Sequence, residues 1–289
     1  MDTSEVLKKV RRIEIKTKRL SDHLFSGEYH SSFKGRGMAF SEVRPYQFGD
    51  DVRAIDWNVT ARFKEPFIKV FEEERELILM LVVDISASET FGSGEATKRQ
   101  ILTEISAVLA FSAMGNNDKI GLLLFSDQIE LFIPPAKGRK HVLRIIRELI
   151  EFEPQGKGTD IGLALGYLTN MMKRKAIVFV LSDFLDDRYN DALKIASKRH
   201  DLTGIRVYDQ REKELPNIGL LPFLDPETGK EQWVNTSSKA VRKRQKAWFL
   251  EREANFEKQF PRAGAGAMSC SVDESYVKKM LGYFKRRSA

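Results

Sequence analysis

The run Leu77–Val83, LILMLVV, restricts the possible folds of this chain more than any other stretch. Seven consecutive apolar residues leave no polar side for water, so the segment fits a strand covered on both faces, as in the parallel sheet of an α/β protein. Polarity then reverses. Asp84, Ser86 and Ser88, in the sequence DISAS, bring one carboxylate and two hydroxyls together where the strand reaches the surface. Hard oxygen donors of this kind suit a hard divalent cation such as Mg²⁺.

The pattern recurs further along. Ala176–Leu181 (AIVFVL) is a second fully apolar segment and ends in Ser182 and Asp183. Two buried strands thus each deliver an aspartate at the C-terminal end, the edge at which open parallel sheets bind ligands. Between them, QGKGTD places Thr159 just before a helical pattern, with Asp160 in its first turn. The simplest reading makes Thr159 the N-cap and Asp160 a carboxylate facing the helix dipole. A threonine hydroxyl shared with a metal stays open beside it, because Gly156 and Gly158 would let the loop approach a ligand closely.

The remaining elements follow from periodicity. An amphipathic helix is expected over Ser4–Leu24, and short strands over Phe40–Phe71. Within the latter, Asp50, Asp51 and Asp56 lie near Arg44, Arg53 and Arg62. The balance of charges favours a paired structural corner over a second metal site. Gly92–Gly94 reads as a loop, followed by a helix whose face is traced by Ile101, Ile105, Val108, Leu109 and Ser112. Lys119–Phe125 is a further buried strand, and Ile129–Ile133 should fold back antiparallel at a sheet edge, ended by Pro134 and Pro135. Helices are expected over Lys140–Phe152, after Tyr189, over Ser238–Phe260 and over Glu274–Arg286. Strands are expected at Gly204–Tyr208 and Met268–Val272, with a hairpin from Ile218–Leu224 and Gln232–Thr236. We divide the chain into an N-terminal helix and β-rich extension (1–76) and an α/β domain with a C-terminal hairpin and helices (77–289).

Composition narrows the function. Of 289 residues, 42% are hydrophobic and 31% charged, which suits a folded protein. The apolar runs fall far short of a membrane span and the N-terminus is charged, so we expect a cytosolic protein. A single cysteine, Cys270, excludes an internal disulfide framework. The formal charge of +7 favours acidic partners. Its clusters, in the first helix, at Lys137–Lys140 and at Arg242–Lys246, read first as solvated faces. A nucleic-acid-binding protein would use these clusters with Trp233 and Trp248, but hairpin and helix packing explains the tryptophans more simply. An aspartyl phosphatase would want a second acid where Ser86 stands, and there is no phosphate loop ending in Gly-Lys-Ser/Thr. The histidines (His23, His30, His141, His200) have no motif that pairs them with Ser86 or Ser88. A metal-dependent phosphohydrolase is therefore the weaker reading, and we expect a protein that is not an enzyme.

DISAS after a buried strand, GTD in the later loop and LSD after a subsequent strand together resemble the metal-ion-dependent adhesion site of von Willebrand factor type A domains, over Leu77–Tyr208. Upstream, FSEVRPYQFGDDVRAIDWNVTAR is similar to the segment preceding such a domain in the bacterial family called domain of unknown function fifty-eight. The resemblance implies a doubly wound, mostly parallel sheet flanked by helices. By position it also implies direct or water-mediated ligation of Mg²⁺, or another divalent cation such as Mn²⁺, by Asp84, Ser86, Ser88, Thr159 and Asp183. It further implies a protein partner that supplies an acidic residue, and a working association with a MoxR-type AAA+ ATPase.

Overall fold

The computed structural model describes residues 11, 13–14, 39–63, 65–72, 77–90, 97–186, 188–224 and 231–288. They fall into two compact units, a small one in Phe33–Leu77 and a large one that includes Ile78–Ala289. Of the helix expected over Ser4–Leu24, Arg11, Ile13 and Glu14 are helical; its other residues, and the Gly92–Gly94 loop, lie outside the described residues.

The small unit is an antiparallel pair, β1 (Ala39–Pro45) and β2 (Phe67–Glu72), joined through a 3₁₀ turn at Val52–Ala54 and a short helix, α1 (Trp57–Phe63). Its aspartates are structural. Arg44 meets Asp50 through two parallel bonds of 2.8 Å, a fork-to-fork pairing that fixes the turn. Asp51 accepts from Arg53 N at 2.9 Å and Asp56 from Asn58 N at 2.9 Å. The corner expected from sequence is charge-paired at Arg44 with Asp50, while Asp51 and Asp56 accept from backbone N–H groups and Lys69 lies 3.5 Å from Asp56.

In the large unit the strands are β3 (Ile78–Asp84), β4 (Lys119–Phe125), β5 (Ile129–Ala136), β6 (Ile177–Ser182), β7 (Asp201–Tyr208), β8 (Leu220–Leu224), β9 (Glu231–Asn235) and β10 (Gly266–Ser271). Between and after them come α2 (Lys98–Gly115), α3 (Arg139–Glu151), α4 (Ile161–Met171), α5 (Asn190–Arg199), α6 (Gln210–Lys213), α7 (Lys239–Arg262) and α8 (Tyr276–Ser288). Six strands make one sheet in the order β10-β7-β6-β3-β4-β5, parallel except for the β4–β5 pair; β8 and β9 form a separate antiparallel hairpin. The fold is α/β, with a mostly parallel sheet flanked by helices.

Both faces of the central strands are covered, as the apolar runs require. Met80, Val82, Val178 and Val180 pack with Ala164, Leu165 and Leu168 of α4, Leu193 of α5, and Phe256 and Phe260 of α7. Phe179 points the other way, edge-on to Phe284 of α8 at 6.1 Å. Gly204 in β7 permits the close approach of α7, since a Cβ there would lie 2.4 Å from the Phe260 ring and 2.9 Å from Phe256.

Three local expectations are corrected. Pro134 and Pro135 lie inside β5 and do not end it; an edge strand tolerates residues that cannot donate to a ladder. The N-cap of α4 is Asp160, whose side chain accepts from Leu163 N at 2.7 Å, and Thr159 sits one residue earlier. Trp233 is not packed into the hairpin but is 61% exposed, whereas Trp248 lies under the Arg252 guanidinium at 4.2 Å.

Candidate metal centre

The chain runs from β3 outward to β4 and β5, then crosses back to lay β6 on the other side of β3 and continues to β7 and β10. Connections therefore leave β3 and β6 in opposite directions, and the reversal opens a crevice at their C-terminal ends. Asp84 is the last residue of β3 and Asp183 the first after β6.

Short-range bonds shape the crevice. Asp84 accepts from Ser86 N at 2.9 Å through Oδ1, which turns the chain back at the strand end, and from the Ser182 hydroxyl at 2.6 Å through Oδ2. The Ser86 and Ser88 hydroxyls are 3.1 Å apart. The loop carrying Thr159 is laid against this turn: Ala87 N donates to the Lys157 carbonyl at 3.2 Å and Asp160 N to the Ser126 carbonyl at 2.9 Å. Asp84, Ser86, Ser88 and Asp183 thus share one crevice, and Thr159 is buried on the adjoining loop. Gly156 has no room for a side chain, since a Cβ would stand 1.9 Å from Asp127 Oδ1 and 2.3 Å from Ser126 Oγ. Phe184, with φ +53°, keeps the chain in a left-handed turn directly after Asp183 and takes a bond from its own N–H to Ser182 Oγ.

Sequence reasoning missed several members of the cluster. Glu89, in the 3₁₀ turn Ala87–Thr90, is fully buried; it offers a carboxylate oxygen within 4.8 Å of those of Asp84 and Asp183. Glu89 Oε1 accepts from Asp183 N at 2.9 Å, and Oε2 has no hydrogen-bond partner among the described residues. Lys98, the first residue of α2, is also fully buried, donating to Asp183 Oδ2 at 2.8 Å and Glu212 Oε1 at 2.7 Å. Buried Arg206 donates to the Asp183 carbonyl at 3.1 Å, with its guanidinium 4.5 Å over the Phe249 ring. Glu89 could have been suspected, because it directly follows Ser88. Lys98 could not, because a lysine at a helix start reads as solvated until distant Asp183 and Glu212 are placed beside it.

Burial dominates the electrostatics. It pushes the Asp84 carboxyl up to about 7, aided by the Asp183 charge and opposed by the bonds from Ser182 and Ser86. Burial, with the Asp183 and Asp84 charges, raises Glu89 well above the carboxylate range against the pull of Lys98. For Lys98, burial works downward but Asp183, Glu89 and Glu212 outweigh it, so the ammonium is held above the lysine range. The donor set fits a hard divalent cation in kind, since carboxylates and hydroxyls supply only oxygen. With Asp84, Glu89, Asp183 and Glu212 ionised against Lys98, the formal charge is −3, which such a cation would largely offset.

The described histidines serve the fold: His141 Nε2 lies 2.8 Å from the Ile120 carbonyl, and His200 Nδ1 accepts from Ala176 N at 3.3 Å. No described helix is long and apolar enough to cross a membrane.

Among solved structures, the protein BatB of Bacteroides thetaiotaomicron aligns over 73% of this chain and 98% of its own, with a TM-score of 0.47 and 15% identity. A von Willebrand factor type A protein of Catenulispora acidiphila aligns over 76% of this chain and 43% of its own, with a TM-score of 0.39 and 8% identity. At these scores the fold rests on its own strand order. In sequence, the uncharacterized protein Rv1480 of Mycobacterium tuberculosis is 31% identical over 232 residues, covering 79% of this chain and 73% of that protein. YeaD of Bacillus subtilis is 28% identical over 122 residues, 42% of this chain and 27% of that one. The family model described as protein of unknown function DUF58 matches residues 42–255, well over half of the sequence, and the chain belongs to that family.

Proposed function

We propose that the protein is a non-enzymatic, divalent-cation-dependent protein-interaction module of the von Willebrand factor type A kind. The observation that carries this reading is the convergence of Asp84, Ser86, Ser88 and Asp183 in the crevice where the sheet reverses, with Thr159 on the loop beside it. In this reading the five residues hold Mg²⁺ or Mn²⁺ directly or through water, and the cation keeps an outward position for an outside oxygen. An acidic residue of the partner takes that position. The partner we favour is a MoxR-type AAA+ ATPase, for which this chain would act as an adaptor in the assembly or maturation of protein complexes. A cytoplasmic setting accords with a lone, buried Cys270 that needs no disulfide partner.

Calorimetric titration with Mg²⁺, followed by a pull-down of a neighbouring ATPase with and without chelator, tests the reading. Wild type should bind in a Mg²⁺-dependent manner and Asp84→Ala should not, with the fold retained. Absence of Mg²⁺ binding by the wild type, alone and with the partner, would end it. Exposed Trp233, followed in the chain by the exposed Lys239, Lys243 and Arg244 of α7, gives the nucleic-acid alternative its one specific support. Binding of that kind would weaken steeply with salt and ignore Asp84→Ala.

A further inference from the structure

We propose that Glu89 is the carboxylate that touches the cation directly, so that this chain loads its own site before a partner arrives; the inference rests on the reading above. The argument starts from which oxygens are already engaged. Asp84 uses Oδ1 for Ser86 N and Oδ2 for the Ser182 hydroxyl. Asp183 uses Oδ2 for Lys98 and Oδ1 for Leu185 N at 3.2 Å. Glu89 uses Oε1 for Asp183 N, and its Oε2, fully buried, has no donor among the described residues. A buried carboxylate oxygen without a partner is costly, and a ligand at that place would offset the cost. The carboxylate that carries it has an oxygen within 4.8 Å of oxygens of Asp84 and Asp183. The tether through Oε1 orients the side chain, and the bond from Glu89 N to the Ser86 carbonyl at 3.2 Å fixes the turn beneath it.

The engaged aspartates are then suited to holding cation-bound water, with Glu89 Oε2 supplying the short contact. Charge does not single out Glu89: Asp84, Asp183 and Glu212 against Lys98 leave −2, which a divalent cation already offsets. What Glu89 adds is its unengaged oxygen, and the partner's carboxylate then completes the shell.

Titration of the full chain with Mn²⁺ and Mg²⁺, without partner, compares wild type with Glu89→Gln, which keeps shape and the Oε1 acceptor. Wild type should bind alone, and Glu89→Gln should bind about tenfold or more weakly. Relaxation of water protons by bound Mn²⁺ should report an additional inner water in Glu89→Gln. Melting in chelator should not be lowered by that substitution, since the amide keeps the acceptor for Asp183 N and brings no charge into the buried cluster. If Glu89→Gln does not fold, Glu89→Asp, whose shorter side chain withdraws the oxygen, should show the same loss of affinity. Equal affinity in the variant and wild type would overturn the inference. So would a wild type that binds cation only with the partner present, an outcome that leaves the interaction reading standing. Failure to bind under both conditions would remove both.

Discussion

Replacing Lys98 by methionine should be among the most damaging single changes in the chain. The ammonium is fully buried and lies 2.8 Å from Asp183 and 2.7 Å from Glu212. At an effective dielectric of about 20, each contact is worth about 6 kcal/mol before desolvation is charged against it. Most of that attraction offsets the cost of bringing three charged groups out of water, so the net value of the network is small. Removing only the cation is different, because the carboxylates stay buried while their compensation disappears. Breaking a buried pair in this way costs about 3–5 kcal/mol. For a domain of this size, that corresponds to a fall in melting temperature of about 6–20 °C. The assay is thermal and urea unfolding of wild type and Lys98→Met in chelator. Mg²⁺ should then recover more of the melting temperature in the variant than in wild type, since the cluster carries one more uncompensated negative charge. Lys98→Met within about 1 kcal/mol of wild type in chelator would refute the reasoning, and would mean that the carboxylates shed their charge by protonation at little cost.

Other substitutions probe the packing around the sheet. Gly204→Ala places a methyl 2.4 Å from the Phe260 ring and should cost about 1–3 kcal/mol in urea unfolding. Phe256→Ala empties a cluster in which its ring lies 4.6 Å from Phe184 and 4.7 Å from Phe260, and should cost about 3–5 kcal/mol. The double variant should be less unstable than the sum, because the cavity left by Phe256 gives the new methyl room; strict additivity would argue against the contact. His200 supplies a pH test: burial, with Arg199 beside it, lowers its pKa, so the folded chain binds fewer protons there than the unfolded one. Its contribution is complete above the ordinary value near 6.5 and is lost as pH falls through that value toward the folded one. His200→Asn, which keeps an acceptor for Ala176 N, should lose less stability than wild type between pH 7.5 and 5 in urea titrations; identical slopes would exclude the imidazole as a source.

Periodicity located the large unit's strands because they are buried on both sides, and such strands must be continuously apolar. β3, β4 and β6 start and stop within a residue or so of their apolar runs for that reason. Where an element's limits depend on polar contacts, the reading slipped. Asp160 took the cap from Thr159 because its carboxylate can reach Leu163 N, and β5 ran through two prolines because its outer side needs no ladder. At the crevice, Asp84, Ser86, Ser88 and Asp183 were legible from their positions at strand ends. Lys98, Arg206 and Glu212 were not, and Glu89 offered only its place directly after Ser88. Their charges look like solvated surface in one dimension, and only the folding of α2, β7 and α6 toward the strand ends turns them into each other's counter-ions.

The two prolines of β5 bear on how the molecule behaves in a crowded solution. An edge strand offers a row of outward N–H groups on which a second chain can nucleate a ladder, the usual first step of sheet-to-sheet aggregation. Successive residues point their N–H groups to opposite sides, so adjacent Pro134 and Pro135 delete one inward and one outward donor. The inward loss falls where the pairing with β4 already shifts register, between Ile120 and Leu122, and therefore costs the sheet little. The outward loss interrupts the template in the second half of the strand. Replacing both prolines with valine restores the outward donor and would leave the native contacts nearly as they are while making the chain more prone to self-association during refolding.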